Sequence, residues 1–496
     1  ASVFSLVFRG LGGENLVHDA LGSLPGGIFM AVLAVMIVIF VLGSGFAKAV
    51  MPMVAAALAE GDEAQVRRDT RMGMWLSLGY GLAVYPLFWW SGPVLLALGQ
   101  RPEVAALGQD FLRIAGLGMI PALMVMALKS YLAALNRTQV VLWVTIAAVG
   151  VNIALNWFLI FGNGGAPELG VRGAAIASLS VQVLTFAALA VYAGWLPDLR
   201  RFRLWQRFWR PDFPALRGVF RLGWPIGVTG LAESGLFQAS ALMMGWIGTV
   251  ELAAHGIAMQ AASLAFMVHL GLSNAITVRT GYFDGAGDAV ALRDGALVGI
   301  GLSLIIGMVM VAGFLIYPAQ IVAIFLDMTQ PESAQIVAFG TILMARAALF
   351  LILDAMQVIA LGLLRGVQDT RVPMWLAAIS YWGIGIPCSY VLAFPLGLGG
   401  VGLWLGLGLW LAGAPDPATR HGAAVAIVSL AGVSGACAPP NPAIAAAFPK
   451  IEGGRSGGDG TTPMARGFNA SRLAGLEGQL NIETVMPAWL LAAQKA

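Results

Sequence analysis

The chain has 496 residues, of which 59% are hydrophobic and only 11% charged, with a mean hydropathy of +0.82. A soluble domain carries about 25% charged residues, so no soluble core could hide this much apolar surface and the bilayer must be its solvent. A net charge of +3 gives no reason to expect a nucleic-acid partner, two cysteines provide neither a disulfide framework nor a thiolate metal cluster, and four scattered histidines offer no ligand pair.

In chain order, residues 1–8 read as the end of a helix whose upstream part is missing; they are too short for a signal peptide and lack its basic start. Residues 14–27 then carry charge, His18 and Pro25 where a plain helix-to-helix turn would be expected. Apolar segments of about 20 residues or more, the length that spans a bilayer, follow at 24–58, 72–98, 108–135, 140–162 and 172–195. They resume at 219–247, 252–280, 292–318, 336–364 and 373–396, with a short last one at 397–413. Unpaired backbone groups are not tolerated in lipid, so these spans are helices. With the incomplete first helix, the expectation is an all-α membrane protein of twelve transmembrane helices in two pseudo-symmetric six-helix lobes around a central cavity. The N-lobe covers 1–195, an Arg-rich linker 196–218 and the C-lobe 219–413. From 414 to 496 the text turns to Ala/Gly-rich runs, with three prolines close behind Cys437, and reads as a disordered tail.

Two phrases support the two-lobe reading. YLAALNRTQVVLWV at 131–144 and LLRGVQDTRVPMWL at 363–376 share Leu132/Leu364, Thr138/Thr370, Val140/Val372 and Trp143/Trp375 at one offset of 232 residues. Each copy sits at a short polar break between two apolar segments. A second shared phrase pairs Leu169, Gly170 and Gly173 with Leu398, Gly399 and Gly402. A duplicated set of membrane helices is the usual mark of a transporter built from two halves around a central site. Alternate loops sort the arginines. One side holds Arg67, Arg68, Arg71, Arg137, the linker arginines from Arg200 to Arg217, Arg279, Arg293, Arg365 and Arg371, whereas the other holds Arg101 and Arg172. That asymmetry places the linker in the cytoplasm, with Trp205 and Trp209 as interface anchors.

An ionisable group deep in a membrane helix costs about 2.5–3.5 kcal/mol on insertion scales, so each one needs a reason. Glu233 lies twelve residues after Arg221, roughly 18 Å along a helix, and Asp354 eleven before Arg365, roughly 16 Å. Both therefore fall near the midplane. Pro225 permits a bend before Glu233, and Gln357 shares the Asp354 face at i+3, where it could help ligate a cation. The functional reading makes Glu233 and Asp354 a shared site for Na+ or a proton, because apposed carboxylates raise each other's pKa and loading a cation neutralises them. The structural reading pairs each with an arginine, Arg346 being a candidate for Asp354. Asn152 and Asn156, one turn apart, either line the N-lobe cavity or stitch helices together. His255 and Gln260 lie in one later span, where a lone histidine is more often a packing residue than a ligand, and His269 lies further along it. Lys48 and Lys129 are expected to snorkel toward the cytoplasmic surface. Glycine-rich runs such as 397–402 lack the strand and GKS/T context of a phosphate loop; close helix packing accounts for them.

The phrases MVAAALAEGD at 53–62, WPIGVTGLAESGLF at 224–237, AAHGIAMQ at 253–260 and DAMQVIALGLLRGVQDTRVP at 354–373 together resemble the MATE (multidrug and toxic compound extrusion) antiporters, in their NorM-like bacterial branch. The resemblance runs from about residue 28 to 412. It implies two six-helix lobes, a V-shaped cavity and export of amphipathic organic cations in exchange for inward Na+ or H+, with Glu233 and Asp354 in the cation-site roles. The family's first helix ends in an acid-bearing phrase, and the matching stretch here, 4–9, has no acid. Some members place a tyrosine one turn before the tenth-helix aspartate; Phe350 stands there in this chain. The resemblance thus weights the ion site toward the C-lobe, with no cofactor beyond the coupling ion, a monomeric protein and a location in the bacterial inner membrane. The alternative is a lipid-linked oligosaccharide flippase of the same superfamily, which would need an arginine-lined cavity that the predicted spans do not supply. An enzyme would need clustered nucleophile and base residues on the cytoplasmic loops, and none appear there.

Overall fold

A computed structural model describes residues 27–97, 102–162, 167–326 and 333–409. The expectations for the incomplete first helix, for 14–26, for Arg101 and for the tail after 414 lie outside the described residues. Within them, every regular element is helical. The first unit contains α1 (Gly27–Ala59), α2 (Glu63–Trp89), α3 (Ser91–Ala97), α4 (Pro102–Ala134), α5 (Thr138–Phe161), α6 (Gly170–Trp195), the short α7 (Pro197–Arg200) and the first part of α8 (Phe213–Ile247). The second holds the rest of α8, then α9 (Thr249–Ala286), α10 (Ala289–Ile316), α11 (Pro318–Ala323), α12 (Ser333–Gly366), α13 (Arg371–Ala378), a π-helical stretch (Ile379–Gly385), α14 (Ile386–Ala393) and α15 (Gly399–Leu409). Among the described residues, eight spans are long and apolar enough to cross a bilayer, the run α13–π–α14 counting as one. The chain is a multi-pass, all-α membrane protein.

Sequence and structure differ at several boundaries. The span expected at 72–98 is drawn from α2, which starts at Glu63 because Asp62 caps it (Oδ1 accepts from Gln65 N, 2.9 Å) and breaks at Trp90 before α3. The expected linker 196–218 ends early, since α8 begins at Phe213, with Asp212 Oδ1 accepting from Ala215 N at 3.2 Å and Pro214 in the first turn. The last described helix, α15, covers 399–409 of the expected 397–413.

The two compact units divide between Gly235 and Leu236, inside α8, rather than within the linker. The reason is packing. The first half of α8 joins α1 and α2 through a core of Ala49, Met72, Ala215, Val219, Leu222 and Ile226, and Phe46 stacks on Phe220 at 5.5 Å. The second half of α8 instead packs against α9 and α12, through Ser240 and Phe237.

The duplicated phrase is a duplicated backbone. After α4, Asn136 takes a left-handed conformation (φ 58°), Asn136 N donates to Ala133 O (3.0 Å) and Arg137 N to Leu132 O (2.8 Å). After α12, Gln368 does the same (φ 60°), with Gln368 N to Arg365 O (3.0 Å) and Asp369 N to Leu364 O (2.9 Å). Both are Schellman turns, which satisfy the last carbonyls of a helix. The second phrase matches as well. Gly170 and Gly399 have φ of 52° and 55°, and a Cβ on Gly173 or Gly402 would strike the carbonyl oxygen of Leu159 or Leu392, respectively.

Candidate functional site

The second unit assembles a polar cluster on an apolar frame. On α12, Asp354 is 7% exposed and Gln357 2%, one turn apart and on one face, as the i+3 spacing requires. Two hydroxyls of α9 hold this helix in register. Ser273 Oγ donates to Val358 O (2.6 Å) and Thr277 Oγ1 to Gly362 O (2.9 Å), an i, i+4 pair on α9 meeting an i, i+4 pair on α12. Gly362 is required there, because a Cβ would collide with Ser273.

Tyr381 completes the cluster. Gln357 Nε2 donates to Tyr381 Oη, and Gln357 Oε1 is buried without a hydrogen-bond partner. Tyr381 sits in the π-helical stretch, where Ile386 N reaches back to Tyr381 O. The local cause is Pro387, which has no N–H for the carbonyl of Gly383 and whose ring crowds that carbonyl, so the helix widens by one residue. Such wide turns recur at functional sites. The span expected at 373–396 is thus interrupted in the middle, and the interruption brings a phenol to Gln357.

Around this cluster runs a chain of aromatic contacts. Phe237 on α8 meets Phe350 edge-on at 6.1 Å, Phe350 meets Trp404 of α15 at 5.9 Å, and Trp404 meets His255 of α9 at 5.7 Å. His255 Nε2 lies 3.5 Å from Ser240 Oγ, while His255 Nδ1 and Trp404 Nε1 are buried without partners. His255 is buried and its ring closes the aromatic chain. His269 is buried, with Nδ1 3.0 Å from Ala265 O and Nε2 3.3 Å from Ser303 O.

The other candidates are dispersed. Glu233 is half-buried on α8 and belongs to the first unit, whereas Asp354 belongs to the second. The helix runs unbroken past Pro225, and Thr229 Oγ1 donates to the Pro225 carbonyl (2.9 Å). Asn156 Nδ2 donates to Asn152 O (2.9 Å) and Asn152 Oδ1 (3.0 Å), so these bonds run within α5 instead of joining it to another helix. Gln260 is half-buried on α9. Lys129 Nζ donates to Thr145 Oγ1 on α5 at 3.1 Å. Arg346 Nη1 donates to Ile342 O of its own helix at 3.4 Å. Reading the sequence passed over Tyr381 and Trp404. The signal for Tyr381 was Pro387 inside a span, and for Trp404 an indole in a short glycine-rich helix.

The arrangement combines a buried carboxylate, an unfilled amide oxygen and a phenol with neighbouring aromatic faces. Such a set can take up a small cation through oxygen donors and hold an organic cation against rings. The MatE family model matches residues 21–158 and 225–391. The probable multidrug resistance protein NorM of Rhizobium meliloti is 47% identical over 401 residues, covering 81% of this chain and 86% of its own length. A protein of the same name in Agrobacterium fabrum is 43% identical over 373 residues, covering 74% and 79%. A crystal structure of a MATE in the straight conformation superposes with a TM-score of 0.68 at 18% identity, covering 82% of this chain and 85% of that one, and the likeness carries the fold.

Proposed function

The chain belongs to the MatE family, and from that premise we propose that it is a secondary antiporter exporting amphipathic organic cations in exchange for inward Na+ or H+. At the coarser level it is a multidrug efflux transporter of the bacterial inner membrane and not an enzyme.

The single observation that carries the finer reading is the buried Asp354 beside Gln357, whose Oε1 has no donor. A carboxylate at membrane depth is costly unless a cation or proton neutralises it. Na+ would draw on the Asp354 carboxylate and the Gln357 amide oxygen, whereas a proton would sit on the carboxylate itself. Loading cancels a charge and unloading restores it, which biases two conformations differently. Glu233 serves as the second coupling carboxylate in this reading, and the half-buried ring of Phe237, set edge-on to the buried Phe350, offers an apolar and π-face to organic cations. The protein acts as a monomer.

In proteoliposomes, an imposed Na+ or pH gradient should drive export of a fluorescent organic cation. Unchanged transport in a Glu233→Gln, Asp354→Asn double variant would sink the assignment.

A further inference from the structure

A second polar site lies in the first unit. Arg67, Arg68 and Arg71 of α2 and Arg207, Arg210 and Asp212 of the linker between α7 and α8 line a cavity of about 590 Å³. That volume is within the range of small-molecule sites, about 300–1,000 Å³. Five guanidinium groups face one carboxylate there. Arg68 Nε and Asp212 Oδ2 pair at 2.5 Å, which holds the Asp212 carboxyl below the usual carboxylate range. Among the described residues no ion pair engages Arg67, Arg207 or Arg210.

The bland reading takes these arginines as solvated markers of the cytoplasmic side. Arg71 argues against it. This side chain is only 8% exposed, and its Nε is buried without a hydrogen-bond partner. Its Nη2 donates to the carbonyls of Arg207 and, at 3.2 Å, Arg210. Trp75 Nε1 donates to Phe208 O at 2.8 Å, so α2 grips three carbonyls of the linker and shapes the wall of the cavity. Arg207 itself is left-handed (φ 56°), a strained conformation that the grip sustains. A buried cationic donor with an open valence, inside a recess of like charges, fits an acceptor oxygen that is not part of the chain. Planar guanidinium forks suit phosphate. Phe213 (70% exposed), part of the cavity lining, and Trp209 (71%), next to Arg210, present exposed rings of the kind that anchor at a membrane interface.

We propose that this cavity binds a phosphate-bearing anion, with the headgroup of an anionic phospholipid of the cytoplasmic leaflet as its source. Basic pockets at this depth are where anionic headgroups dock, each arginine contributing about 1 kcal/mol near the surface, or about fivefold in affinity.

The test uses the full chain purified in detergent, titrated with dioctanoyl phosphatidylglycerol, dioctanoyl phosphatidylcholine and inorganic phosphate, with binding read by native mass spectrometry and thermal shift. Phosphatidylglycerol should bind saturably and more tightly than phosphatidylcholine. An Arg207→Gln, Arg210→Gln double variant should weaken it about 25-fold, two such fivefold steps. Both residues are exposed, so the fold should survive, and the melting temperature without lipid checks that it does. Arg203→Gln, in the same linker but outside the cavity, should change nothing. Inorganic phosphate binding as tightly as phosphatidylglycerol would keep the site but assign it to a soluble phosphate. Equal binding of the two lipids, or no loss in the double variant, would overturn the proposal.

Discussion

The helices that lead into the two matched Schellman turns, α4 and α12, can be laid over each other at the offset of 232 residues. Asp354 of α12 then falls on Ala122 of α4, Gln357 on Val125, and Tyr381 on Val149 of α5. The turns agree bond for bond, yet the polar cluster of the second unit is wholly apolar in the first. Its π-helical interruption is absent too, since α5 runs unbroken from Thr138 to Phe161 and has no proline. A repeat can thus preserve how helices end and where they turn while only the second copy carries the buried Asp354, Gln357 and Tyr381 at the matched positions. The architecture is shared and the chemistry is not.

That contrast can be broken most decisively at Asp354. Asp354→Asn should reduce gradient-driven export to background, measured as dye efflux from proteoliposomes, whereas Ala122→Ser at the matched position should leave it within about twofold, as a surface-neutral change does. Equal losses from both would erase the asymmetry. Next in size, Tyr381→Phe removes the acceptor for Gln357 Nε2 and leaves the buried amide wholly unsatisfied, at a cost of about 1–3 kcal/mol. Adding Gln357→Leu should recover much of that loss in thermal stability without recovering transport, because the buried amide is then removed together with the hydroxyl it donated to.

A smaller effect is expected at the buried carboxylate of the first unit. Burial pushes Asp69 up from 3.8 to about 7, against the opposing hydrogen bond from Gln65 Nε2 (2.7 Å). A carboxyl raised in the folded state binds more protons there than in the unfolded chain between those pH values. Its contribution is therefore fully present below pH 3.8 and is lost as pH rises through about 7. Asp69→Asn keeps the acceptor for Gln65 and removes the ionisation. It should raise the melting temperature by a few degrees at pH 8, make no difference near pH 4, and leave transport intact. If transport collapsed with Asp69→Asn, the first unit would hold a coupling carboxylate of its own. The smallest effect concerns the turns themselves: Asn136→Gly and Gln368→Gly should each relieve left-handed strain by about 0.5–1 kcal/mol, and by similar amounts if the two turns are energetic equals.

Most of the fold was legible because lipid leaves few choices. Hydropathy marks the spans, unpaired backbone groups forbid anything but helices, and the arginine bias orients them. Asp354 and Gln357 could be singled out for the same reason, as polar residues where none should be affordable. What stayed hidden depends on three-dimensional encounters. Tyr381 reaches Gln357 only because Pro387 widens its helix, and no periodicity announces that. The arginines of α2 and the linker were visible as charge, but their convergence on one cavity depends on Arg71 gripping carbonyls far along the chain. The compact units divide inside α8 and not at the expected residue 218, because the apolar first half of that helix finds its partners in α1 and α2.

The matched turns also bear on how such a molecule can be altered. Every bond that closes them runs between main-chain groups, so the instruction to turn is written in peptide units and not in side chains. Asn136 and Gln368 differ, as do Arg137 and Asp369, yet the loops close alike. A joint of this kind insulates geometry from mutation: residues about three or four turns away can be exchanged for new chemistry while the scaffold passes unchanged through the substitution.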